Sequence, residues 1–174
     1  MKTLKFLIVL LLFNFNSCSK QDDCDNPLDC LPPATQTGAG TIGCLVDGKP
    51  FTPGGNQLGG PTQQVFYQFV DGEYHFGLFA INKRGDRNEA IGLNSKGIIL
   101  ENSAYTLSLE ITSQNATYKI GAIRFETTQE NTGEIIFTKF DENTNIVSGT
   151  FWFDAVNEAG EVVEIREGRF DMKL

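Results

Sequence analysis

Two residues, Asp71-Gly72, separate Gln64–Val70 from Glu73–Asn82, and both runs are rich in Phe, Tyr, Val and Ile. Asp and Gly tolerate positive φ, so a two-residue hairpin turn is the arrangement that fits. The hairpin sets the tone for the rest of the chain. Tyr105, Leu107, Leu109 and Ile111 alternate with Thr106, Ser108 and Glu110, the pattern of a half-buried antiparallel strand. Val147, Gly149, Phe151, Phe153 and Ala155 alternate with Ser148, Thr150, Trp152 and Asp154. Asp47-Gly48 predicts a second tight turn after the strand Thr41–Val46.

Further strands are expected at Ala90–Leu93, Gly97–Leu100, Thr117–Thr127, Glu134–Phe140 and Glu161–Glu167. The apolar phase of Thr117–Thr127 shifts near Gly121, which predicts a β-bulge there. Gly168 resets the phase again before Arg169–Leu174. With 18 Gly and 14 Phe in 174 residues, the composition suits strands and tight turns. These features predict an all-β antiparallel sandwich of about ten short strands over residues 41–174. A calycin-like barrel is the alternative.

The N-terminus carries a different signal. Lys2 and Lys5 precede an unbroken apolar run from Phe6 to Phe13, too short to span a bilayer but suited to a signal peptide over residues 1–17. Ser17-Cys18 resembles the lipobox of bacterial lipoproteins. That resemblance implies lipidation of the Cys18 thiol, cleavage before it, and anchoring in the outer membrane. Lys20-Gln21-Asp22-Asp23 resembles the export signal of Bacteroidetes surface lipoproteins, which implies a face turned to the exterior. Residues 18–40, with Pro27, Pro32 and Pro33, read as a lipidated, flexible tether.

Cys24, Cys30 and Cys44 remain. Cys24–Cys30 would close a small loop, and Cys30–Cys44 would tie the tether to the first strand; spacing does not choose between them. Cys44 also fits a buried free thiol.

Removing Lys2 and Lys5, the charged residues of 1–17, takes the net charge from -8 to -10. An acidic surface of that size argues against nucleic acid. No metal or other cofactor is expected: His75 is the single imidazole and no CxxC is present. Asp141–Asn145 has oxygen ligands close together but lacks EF-hand spacing, so a hairpin loop is the first reading and calcium the second. Arg84-Gly85-Asp86 matches an adhesion triplet, yet suits a turn equally well.

Trp152, Tyr67, Tyr74 and Tyr118 are the candidate stacking residues, although their strand positions among apolar neighbours predict core packing first. The expected function is a non-catalytic binding or accessory module for glycan or peptide. A structural partner of a larger surface complex is the alternative. A hydrolase is less favoured, because no nucleophile motif accompanies His75.

Gly149-Thr150-Phe151-Trp152-Phe153 with Gly168-Arg169-Phe170-Asp171, and the opening segment Gly43–Phe51, resemble an uncharacterised Bacteroidetes lipoprotein family. The resemblance implies an extracytoplasmic β domain and brings no catalytic residues.

Overall fold

The computed structural model describes residues 24–56, 59–109 and 114–174. The signal peptide, Cys18 and Ile111 lie outside the described residues.

Twelve strands follow in order: β1 (Thr41–Val46), β2 (Lys49–Phe51), β3 (Gly54–Gly55), β4 (Gln63–Val70), β5 (Glu73–Lys83), β6 (Glu89–Lys96), β7 (Ser103–Leu107), β8 (Asn115–Ile120), β9 (Ile123–Glu126), β10 (Gly133–Asp141), β11 (Ile146–Val156) and β12 (Val162–Lys173). The fold is all-β, a curled sheet that closes halfway to a barrel. One half runs β2-β1-β12-β11-β10-β7, and the other runs β9-β8-β6-β5 with β4 and β3 beside β5. Among the described residues, Val156 pairs with Glu126 and Ser108 with Gln114 where the halves join. All pairings are antiparallel except β3 on β5.

The Asp71-Gly72 turn forms as the sequence demands, with φ of 52° and 89° and Val70 opposite Glu73. Asp47-Gly48 repeats it between β1 and β2, with φ of 47° and 76°.

Three local expectations change. The phase shift near Gly121 marks a chain reversal: Ile120 pairs with Ile123, so β8 and β9 are two strands where a single bulged strand was expected. Gly97–Leu100 is a loop held by tyrosine hydroxyls rather than by a ladder. Tyr105 Oη accepts from Leu100 N at 2.8 Å and donates to Ile98 O at 3.2 Å. The glycine-rich run from Gly54 to Gly60 has no helical period and reads as a loop, yet Gly54-Gly55 adds a short parallel pairing to Asn82-Lys83.

The two halves meet through phenylalanines. Phe76 on β5 stands edge-on to Phe137 on β10 at 5.0 Å, and Phe170 on β12 lies 6.1 Å from Phe137. Phe137 is fully buried. Each such ring contributes roughly 2–3 kcal/mol by burial, and well-oriented pairs add about 1 kcal/mol more. Cys44 is fully buried in this core as a free thiol, and burial pushes its pKa up. The disulfide joins Cys24 to Cys30.

Residues 24–40, expected as part of a flexible tether, are strapped to the sheet in the structure. Leu31 is buried, and Pro32 packs against Gly43 so closely that a Cβ there would clash. The strongest hold is Asp171. Its carboxylate accepts from Thr35 Oγ1 at 2.6 Å, Gly38 N at 2.7 Å, Ser148 Oγ at 2.7 Å and Thr37 N at 2.9 Å. Burial raises the carboxyl pKa, but these donors outweigh it and hold the group well below the usual carboxylate range.

Asp171 is 1 % exposed, so replacing it disturbs a buried charged network. Asp171→Asn is expected to lower stability by about 3 kcal/mol at pH 7, read as a lower urea midpoint with an unchanged slope. A depressed carboxyl pKa stabilises above the unfolded value, near ~3.9, and that stabilisation is lost as pH falls toward the folded value. The advantage of the native chain over the variant therefore shrinks below about pH 4.

Candidate functional site

The outer face of β10, β11 and β12 carries the best-built surface feature. It originates in a β-bulge on β12. Phe151 pairs with Gly168 and Phe153 with Ile165, so Arg166 and Glu167 together oppose Trp152. The β1 side shows the same slip between Gly43 and Leu45. Glu167 adopts φ 56°, the left-handed conformation that such a bulge requires. The slip changes which residues face the core. Val163 and Ile165 point inward before it, and Gly168, Phe170 and Met172 after it. Arg166 and Arg169 consequently share the outer face with Trp152. Gly168 accepts no side chain, because a Cβ would run into the Phe151 ring and carbonyl.

The result is an open groove of about 510 Å³ lined by Trp152, Arg166, Arg169, Glu134, Thr150 and Ala34. Ala34 belongs to the strap that Asp171 holds down, so the strap supplies one wall. Trp152 is 39 % exposed, although its strand position predicted core packing. The bulge explains its surroundings: Arg166 reaches back over the indole, with its guanidinium carbon 5.6 Å from the ring centroid.

Arg166 is fixed in place. Its Nη2 lies 2.6 Å from Asp154 and 3.6 Å from Glu164, and its Nη1 donates to the carbonyls of Phe153 and Ile165 at 3.2 and 3.0 Å. Arg169 pairs with Glu167 at 3.2 Å. Glu134 sits directly across from Trp152 on β10. Its carboxylate makes no hydrogen bond or ion pair among the described residues. The groove therefore combines a flat aromatic surface, a free carboxylate and two ordered guanidinium groups.

The other aromatic candidates lie elsewhere. Tyr67 and Tyr74 stack on each other at 4.7 Å with planes 4° apart, and Phe140 abuts Tyr67 edge-on at 4.9 Å. Tyr67 Oη donates to Gly97 O and accepts from Ile99 N, both at 3.4 Å. Burial raises its pKa, with the Ile99 bond opposing. Tyr67 and Phe140 pack against the core, and Tyr67 pins the 97–100 loop. Tyr118 is buried and donates to Glu89 Oε1 at 2.9 Å.

The remaining motifs are engaged structurally. Arg84 donates to Thr52 O, Thr52 Oγ1 and Pro53 O at 3.1, 3.0 and 2.7 Å, so the Arg-Gly-Asp turn has its arginine tied to the β2–β3 segment. Asp141 Oδ1 accepts from Asn143 N and Thr144 N, closing its own loop. No three His, Cys, Asp or Glu side chains gather to hold a metal ion among the described residues. His75 pairs across the sheet with Gln68 and Lys96.

Sequence reasoning passed over Arg166, Arg169 and Glu134. The signal was present in the phase reset at Gly168, which turns both arginines to the side of Trp152.

A family model described as "Domain of unknown function (DUF6252)" matches residues 63–172. The chain belongs to this family. The DUF6252 match runs from β4 into β12 and includes Gly149–Phe153 and Gly168–Asp171, the two segments that frame the groove; Gly43–Phe51 lies outside it. No curated protein and no solved structure matches the chain.

Trp152 is the single tryptophan of the chain, so its fluorescence reports on this groove alone. Arg166→Ala is expected to raise acrylamide quenching of that emission, because one indole face loses its cover. The same substitution should lower stability by about 1 kcal/mol through the lost cation–π contact and surface pairs.

Proposed function

We propose that this protein is a non-catalytic binding module for glycan chains, held at the outer membrane by a lipid on Cys18 and facing the exterior. The observation that carries the binding reading is Trp152: an indole 39 % exposed, with Arg166 over one face, beside a free carboxylate and a second pre-ordered arginine. Exposing an indole forgoes burial free energy, and the fold has ample core to hide it. A sugar ring presents an apolar C–H face and a rim of hydroxyls. The C–H face suits the indole, and the hydroxyls suit Glu134 as acceptor and Arg166 and Arg169 as donors. The groove volume falls within the range of small-ligand sites. The Arg166 lattice of contacts supports binding further, since a side chain already ordered loses little entropy when a ligand arrives.

The address rests on the sequence. Lys2, Lys5, the apolar run to Phe13 and Ser17-Cys18 support lipidation, and the acidic residues that follow support export.

A second reading, docking onto a larger surface complex, has its own support. Phe69, Ile98 and Leu100 are 62, 68 and 60 % exposed around the Tyr67–Tyr74 stack. Exposed apolar clusters mark protein contacts.

Titration with a panel of neutral and acidic oligosaccharides, followed by Trp152 emission and by thermal shift, tests the glycan reading. A bound glycan at 100 times its Kd adds roughly 2.7 kcal/mol of stability. Trp152→Ala and Glu134→Ala should each weaken binding at least tenfold while the fold stays intact. A panel that moves neither signal overturns the glycan reading and leaves the docking role.

The address has a separate check. Cys18→Ala is expected to abolish incorporation of labelled fatty acid; labelling that persists in the variant removes the lipid anchor from the proposal.

A further inference from the structure

Strand β4 ends one half of the sheet without charge, proline or a bulge along it, and Gln63 at its start donates to Gly40 O. Among the described residues it pairs with β5 alone. It spans eight residues, Gln63 to Val70, with no charged side chain, no proline and no register shift. Among the other edges, β2 has three residues and contains Pro50, β9 has four and carries Arg124 and Glu126, and β7, paired with β10 alone, is uncharged like β4 but only five residues long. Natural edges are commonly shortened, charged, bulged or interrupted by proline, because an open ladder recruits another strand.

The ladder geometry identifies which backbone groups are open. Ile81 N donates to Thr62 O, so the even-numbered residues from Thr62 to Val70 exchange their bonds with β5. Val65, Tyr67 and Phe69 accordingly turn their N–H and C=O groups to the unpaired side. The side chains add no repulsion. Gln64, Phe66 and Gln68 are exposed on one face, and the Phe66 ring lies over Gly77.

We infer that β4 is a strand-addition edge and that its occupant is a second copy of this chain, joined antiparallel as β4 on β4 about a two-fold axis. A ladder of main-chain groups needs another extended strand, which excludes a small ligand. Charge selects the copy. The chain carries a net charge of -8, so two copies repel over most of their surfaces, and the uncharged β4 edge is where they can approach. A partner of opposite charge would find no charged side chain on β4 to read. The strand is also self-complementary. Centring the pair on Tyr67 sets Val65 against Phe69 and Phe66 against Gln68, with the turn acid Asp71 opposite uncharged Gln63. Each of Val65, Tyr67 and Phe69 then exchanges two hydrogen bonds with its opposite residue. The two-fold arrangement consumes both open edges and closes. The groove on β10–β12 belongs to the other half of the sheet, so this inference stands apart from the glycan reading.

The test places single cysteines at Gln64, Phe66 and Gln68 in the full chain in detergent solution and treats each with a short bis-maleimide. Lys119→Cys, exposed on β8, and the chain without an added cysteine serve as controls. The inference predicts covalent dimer from at least one β4 position at several times the control yield. It also predicts loss of that product when Phe69→Pro removes an outward N–H. Gln64→Lys with Gln68→Lys, read through Phe66→Cys, gives an independent disruption by like charge should the proline variant fail to fold. Yields at control level from all three positions, or cross-linking that survives the charged pair, overturn it.

Discussion

The bulge at Arg166-Glu167 is the constraint on which the rest of the structure depends. β12 lies between β1 and β11, so its alternation decides which residues of three strands face inward. One extra residue lets Val163 and Ile165 serve the core on one side and Phe170 and Met172 on the other. Without it, a two-residue period would bring Arg169 and Asp171 to the core if Ile165 stayed there. The cost of placing Glu167 at positive φ is of order 1 kcal/mol, against several for a buried unpaired guanidinium. The same slip leaves Arg166, Arg169 and Trp152 together outside. The core and the groove are thus two results of one backbone irregularity.

The glycines of the family segments follow from the same packing. A Cβ on Gly149 would strike the Ile136 carbonyl and the Phe170 ring, and one on Gly168 would strike Phe151. Both positions let an aromatic ring lie flat on backbone. Phe170 and Phe151 reach the centre because their neighbours have no side chain.

Much of this was legible in the residues. Asp71-Gly72 and Asp47-Gly48 announced their hairpins, because two adjacent residues that accept positive φ leave few other turns. The period-two pattern of Val147–Ala155 gave β11 its inner face. The slip at Gly168 was visible as a break of phase. The break at Gly121 looked alike in sequence and proved to be a reversal, since local alternation cannot tell a bulge from a two-residue turn. Strap residues 31–39 were opaque for another reason. Their order comes from Asp171, more than 130 positions away, and composition reports only a segment's own capacity for burial. Trp152 was misplaced in the same manner: the strand was right, but its face depends on what covers the sheet, and the strap lines only one wall of the groove, at Ala34.

The strap also determines how the molecule carries load. Thr35, Thr37 and Gly38 are fastened to Asp171, and Thr41 pairs with that same residue on β12. A pull from the N-terminal side reaches several bonds at once, running along β1 and β12 in shear, rather than parting them one after another from a free end. Held in this way, the strap would stay on the sheet under a pull on its N-terminal end, and the Trp152 groove beside it would keep its shape under tension.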